Sequence, residues 1–179
     1  MNIATRRFSA NYVYTNTGEP IRNGIVGVDN EGVVVEIIDH KLGTREYSRT
    51  LFLNGVIVPE FINSPILSKL PNLLERLPQG GELKAFLSSI KSQVPESQAT
   101  ANWQSLSTFN QIQIILQHFP ELTFGEVLKW GTLEGAKALG LDGELGSIEL
   151  GKKPGLNLIA PFNYGDMKPT DRSKFKKLL

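Results

Sequence analysis

The chain has 179 residues, of which 40% are hydrophobic and 21% charged, with 17 Gly and 10 Pro. These are the values of one globular domain or somewhat more, and they exclude disorder and collagen. Nineteen basic residues face 18 acidic ones, a net charge of +1, so no global field draws the protein to nucleic acid or anionic lipid. With no cysteine there is no disulfide, thiolate metal site or cysteine nucleophile, and there are only two histidines, His40 and His118. No window approaches the roughly 20 apolar residues that span a membrane. Arg6 and Arg7 are not followed by the apolar stretch of a signal peptide, so a soluble, cytoplasmic protein with no membrane partner is expected.

The pattern of residues 1–58 predicts β-structure. Phe8 to Tyr14 mixes aromatic and β-branched residues and ends in the turn residues Asn16-Thr17-Gly18. Asn23-Gly24 precedes a strand at Ile25–Val28, and Asp29 to Gly32 form a turn before Val33–Ile38. Arg45–Leu53 reads as a further strand, and Val56-Ile57-Val58 as a short one buried on both faces. The stretch from Pro59 to Pro78 contains four prolines and little periodicity.

Three helical stripes follow. Leu83, Phe86, Leu87, Ile90 and Val94 make the first, and a polar loop at 95–100 separates it from the second, Leu106, Phe109, Ile112, Leu116 and Phe119, closed by Pro120. The third begins at Thr123, where Thr123-x-x-Glu126 is a capping box with Leu122 and Val127 at the staple positions, and ends before Gly140. Gly131, Gly135, Ala136 and Ala138 leave one side of it small, which predicts a close neighbour. The β-pattern returns at Ser147–Leu150, Leu156–Ile159 and Lys174–Leu179. Strands at both ends around helices predict an α+β fold whose termini share one sheet system.

Few residues outside these elements suggest chemistry. His40 reads as a solvated loop residue, and His118 as a cation at the negative end of a helix dipole. Gly151-Lys152-Lys153-Pro154-Gly155 lacks P-loop spacing and reads as a turn. Lys168, Arg172, Lys174, Lys176 and Lys177 read as a solvated face, not as a nucleic-acid surface. No Gly-x-Ser-x-Gly elbow occurs.

Two stretches resemble the amidohydrolase superfamily, the metal-dependent deaminases and amide hydrolases. Gly24 to Asp29 with Asn54-Gly55-Val56-Ile57-Val58-Pro59-Glu60-Phe61-Ile62-Asn63 is similar to the family's entrance, where a small β-sandwich runs into barrel strand one. That strand ends in Pro-Gly-Phe-Val-Asn-x-His-x-His, whose histidines bind the metal. Thr123 to Gly155 resembles the closing segment, with Gly131-Thr132-Leu133-Glu134-Gly135-Ala136-Lys137-Ala138-Leu139-Gly140 in place of the family's Ala-Thr-x-x-Gly-Ala-x-x-Leu-Gly, followed by the return to the sandwich at Leu145–Lys152.

The resemblance implies a β-sandwich built by residues 1–64 plus 145–179, with residues 65–144 as a mostly helical remnant of a (β/α)8 barrel. It also implies that the metal site is lost. The two histidine positions fall on Pro65 and Leu67, and the position of the catalytic aspartate falls on Gln104. Glu60 stands where the family has glycine, which is expected to disturb the strand exit. The 80 or so residues between Ser64 and Gly146 are too few for a complete barrel of roughly 200–250 residues. The expectation is therefore a non-catalytic binding or assembly module with no cofactor, no metal and no catalytic residue. Two alternatives stand beside it: a hydrolase or deaminase of non-peptide C–N bonds active only with a partner chain, and a small-molecule binding domain. Expected partners are a second copy, through the bared Val56-Ile57-Val58 strand, and a full-length amidohydrolase.

Overall fold

The computed structural model describes residues 3–39, 47–63, 67, 103 and 105–179. The helix predicted at Leu83–Val94, the polar loop after it, His40, Pro65 and Gln104 lie outside the described residues.

Among the described residues, ten elements follow in order: β1 (Arg6–Val13), β2 (Ile21–Arg22), β3 (Ile25–Val28), β4 (Val34–Ile38), β5 (Thr50–Pro59), α1 (Thr108–His118), α2 (Phe124–Trp130), α3 (Leu133–Ala138), β6 (Leu156–Asn163) and β7 (Lys168–Lys177). The strands join in one mixed sheet of order β4-β3-β1-β5-β6-β7, with β2 also on β1. The β1–β5 pair is parallel, and the other pairs are antiparallel. The chain ends thus share a sheet as predicted: Ile57 lies opposite Leu158, and the Ile148 N–H donates to the Thr15 carbonyl.

The turns form for the reasons their residues give. Asp29 Oδ1 accepts the N–H groups of Glu31 and Val33, and Gly32 takes φ +86° to complete the turn into β4. Asn23, at φ 51°, carries the chain from β2 to β3.

The predicted two-sheet sandwich is corrected to a single sheet that curls. Laid flat, β4 and β6 would stand about 19 Å apart, four strand spacings. Yet Val34 of β4 and Leu156 of β6 share one core, with Phe8, Val13, Val26, Ile57 and Ile148. The curl is closed by backbone: the Gly151 N–H donates to the Val34 carbonyl and the Val34 N–H to the Lys152 carbonyl, both at 2.8 Å.

The helices cover the other face. Val56 and Val58 point into their core while Ile57 points into the sheet's own, and all three are fully buried. This is the strand buried on both faces that its sequence predicts. It is not bared, however, because β1 and β6 pair with it on either side. The two separate predicted strands around it are one ten-residue strand, continuous through Gly55 at φ +145°. A Cβ on Gly55 would stand 2.4 Å from the Ile159 carbonyl oxygen, so only glycine fits there.

Helix α1 follows its stripe, with Phe109, Ile112 and Leu116 buried, and Ser107 Oγ accepts the Asn110 N–H at its start. At α2 the capping box is present in both directions. The predicted third helix does not run through to Gly140. It breaks at Thr132 (φ −137°, ψ −90°), whose hydroxyl donates to the Leu128 carbonyl. α3 then ends as predicted, with Gly140 at φ +70°, its N–H on Lys137 and the Leu141 N–H on Ala136, a Schellman pair. Ser147–Leu150, predicted as a strand, is instead a turn and loop. One backbone bond from Ile148 and the side chains around Lys152 hold it, not a ladder.

Candidate functional site

The functional question centres on the exit of β5, where the family resemblance puts its metal ligands. The exit is stitched to three neighbours. The Glu60 N–H approaches the Pro154 and Gly155 carbonyls, the Ile62 N–H donates to the Gly131 carbonyl at 2.9 Å, and Thr108 Oγ1 donates to the Ile62 carbonyl at 3.0 Å. Glu60 does not disturb the strand, which stays paired through Pro59. Its side chain lies over Gly155, where a Cβ would be 2.4 Å from Oε2, and its other oxygen pairs with Lys177 at 2.7 Å. Phe61 packs against Phe109 and Phe175, with ring centroids 5.5 and 5.2 Å away.

Leu67, at the second expected histidine position, is fully buried in the helix-side core with Trp103, Phe109, Ile112 and Leu128. Its carbonyl accepts the Trp103 indole N–H at 2.7 Å, and the Trp103 carbonyl accepts Gln111 Nε2 at 2.8 Å. Gly131 makes room here: a Cβ would stand 2.7 Å from Thr108 Cγ2, 3.0 Å from Ile112 Cδ1 and 3.3 Å from Leu67 Cδ1. This is the close neighbour that the small-residue stripe predicts. The structure therefore brings Leu67 and Trp103 together with α1 and the α2–α3 junction, in largely apolar packing. Among the described residues, no three His, Cys, Asp or Glu side chains are grouped to hold a metal ion. His118 is the last residue of α1, the place expected of it.

Two polar clusters were not legible from spacing. Lys152, read as a turn residue, sends Nζ to the Asp142 carbonyl (2.7 Å), Ser147 Oγ (2.8 Å) and Glu149 Oε1 (2.7 Å). The Lys152 ammonium, and next the Ser147 hydroxyl, hold the Glu149 carboxyl below its ordinary range. A hydroxyl beside a lysine has the parts of a nucleophile and base. Here Ser147 is fully buried and also donates to Glu149, which fastens the loop. Asn16, read as a turn residue, is buried at φ 70° and its Nδ2 donates to Thr132 Oγ1 (2.8 Å) and the Gly146 carbonyl (2.7 Å). It ties the end of β1 to the helix break and the return loop, contacts more than 100 residues away in sequence. Nearby, burial foremost, then Tyr12 and Glu19, pushes the Tyr14 phenol well above its usual range.

The sequence model of the amidohydrolase family matches residues 94–178, just under half of the chain. A 5'-deoxyadenosine deaminase of Methanobrevibacter smithii is 58% identical over 48 residues, 27% of this chain and 11% of that protein. Both matches support the family resemblance seen in the sequence. The matched segment holds α1 to α3 and the β6–β7 hairpin, the side of the molecule that closes over Leu67.

Proposed function

We propose that this chain is a non-catalytic member of the superfamily that works by association, with a second copy or a full-length amidohydrolase. In this reading residues 1–64 and 145–179 form the family's small β-domain, and residues 65–144 are a helical remnant of its barrel. The observation that carries the proposal is Leu67. A catalytic metal needs about three protein ligands and an open position for water. The position that resembles a ligand site holds a fully buried leucine under Trp103, Ile112 and the Gly131 backbone. Pro65 and Gln104, at the other ligand and base positions, supply no imidazole and no carboxylate.

The 58% identity to a deaminase over 48 residues supports a second reading, a hydrolase of non-peptide C–N bonds completed by a partner chain. The test is an absorbance assay of 5'-deoxyadenosine deamination by protein purified without a partner and supplied with zinc. The expected result is no turnover above buffer. Turnover abolished by a chelator overturns the proposal. Turnover that appears only on adding a full-length amidohydrolase, beyond that enzyme's own rate, decides for the second reading.

A further inference from the structure

The curled sheet leaves one length of strand edge open. β6 follows β5 only over Val56–Pro59. It then turns away with β7, and Pro161 in its path has no N–H for a ladder. Thr50–Asn54 is paired with β1 on one side, and among the described residues no strand pairs with it on the other. Leu51 and Phe52 are 54% and 56% exposed. Tyr164, whose hydroxyl reaches Asn11 and lies 3.4 Å from Asn54, marks where the open stretch ends.

The outer strands are treated differently. β4 is bonded at Val34 by the backbone of Gly151 and Lys152. β7 carries exposed Arg172, Lys174 and Lys176, and such like charges discourage pairing with another strand. Among the described residues, Thr50–Asn54 carries neither a charge nor a covering segment.

We infer that Thr50–Asn54 is the pairing edge of a two-fold dimer, in which the same strand of a second copy lies antiparallel across it. The segment Thr50-Leu51-Phe52-Leu53-Asn54 is a palindrome in chemical class about Phe52. A two-fold contact requires that if residue i meets j, then j meets i. Centred on Phe52, the pairing sets Leu51 against Leu53, Thr50 against Asn54 and Arg49 against Gly55, with the two phenyl rings on the axis. Every apolar residue meets an apolar one, and the flanking cation meets a glycine, not its own copy. Aromatic cross-strand pairs of this kind stabilise sheets. The inference takes from the proposed function only that the chain associates. It does not depend on the absence of catalysis, so turnover and dimer mass fail independently.

The absence of cysteine makes the test clean. Phe52→Cys introduces a single thiol at an exposed position. On the axis of an antiparallel pair the two Cα atoms would stand about 4.5 or 5.5 Å apart, within the span of a disulfide. Mild oxidation should convert most of the F52C protein to a covalent dimer of roughly twice 19.8 kDa, while Leu150→Cys, also exposed but away from the edge, should form no covalent dimer. Light scattering should find the unmodified protein dimeric and Phe52→Lys monomeric, with circular dichroism showing the variant folded. A monomeric wild-type chain over the whole concentration series, its edge left for a strand of some other protein, overturns the inference. So does a folded F52K that remains a dimer, or crosslinking no faster in F52C than in L150C.

Discussion

The two cores of the molecule are built differently. The one enclosed by the curled sheet draws on β1, β3, β4, β5 and β6, and among the described residues its single buried aromatic ring is Phe8. The one under the helices holds Tyr14, Trp103, Phe109, Phe119, Phe124 and Phe162. A sheet that rolls on itself brings its faces close enough for Val and Ile to meet. Helices α1 to α3 lying on the sheet leave gaps that rings span, and Phe124 is accordingly wedged edge-on between Tyr14 (5.0 Å) and Phe162 (5.4 Å). The sheet core carries the strands that resemble the family's β-entrance, whereas the ring-filled core surrounds Leu67, where the resemblance expects a polar ligand.

The comparison can be broken by substitutions. The largest loss is expected from Phe124→Ala, about 3–5 kcal/mol in denaturant unfolding, with Ile57→Ala in the sheet core at about 2–5 kcal/mol. If the helix-side core were a loose remnant, Phe124→Ala would cost far less than Ile57→Ala. Leu67→His sharpens the same point. It should destabilise by about 2 kcal/mol or more, because an imidazole gains no partner in an apolar site. A neutral or stabilising outcome would mean that the position still accommodates a ligand.

Gly131→Ala should cost about 1–3 kcal/mol, since its methyl would meet Thr108 Cγ2 at 2.7 Å. Thr123→Ala should cost about 1 kcal/mol through loss of the cap. That cost should depend on pH. The Thr123 side-chain bond, then its backbone bond, holds the Glu126 carboxyl below its reference value of 4.5. A depressed carboxylate stabilises the fold above its unfolded value and loses that contribution as the pH falls through the folded one. The thermal-melting gap between wild type and T123A should therefore be constant at neutral pH and narrow below 4.5. The smallest effect is expected of Lys137→Ala, with no resolvable shift in the unfolding midpoint, because its pair with Glu134 lies in solvent.

What was legible in the sequence was local. The strands β1, β3, β4 and β6, the stripe of α1, the capping box and the Gly140 terminus each depend on residues within a few positions of one another, and each forms as read. What was not legible depends on distant partners. Nothing near Thr132 announces a break, because Asn16 and the packing on Gly131 impose it. Ser147–Leu150 has strand composition but lies where Val34 and Lys152 leave room for only a short bridge. The resemblance predicts a bare Val56–Val58, yet β6 arrives from 100 residues away to cover it. At the candidate site the identity of Leu67 was plain from the resemblance. That it is packed under Trp103 instead of pointing to solvent is a property of the fold alone.

The central claim is that the family's metal position has become apolar core. Elemental analysis of the purified chain, equilibrated with zinc and dialysed, tests it most directly. The account predicts far less than one metal ion per chain, and about one tightly held ion per chain, the stoichiometry of a catalytic site, would contradict it.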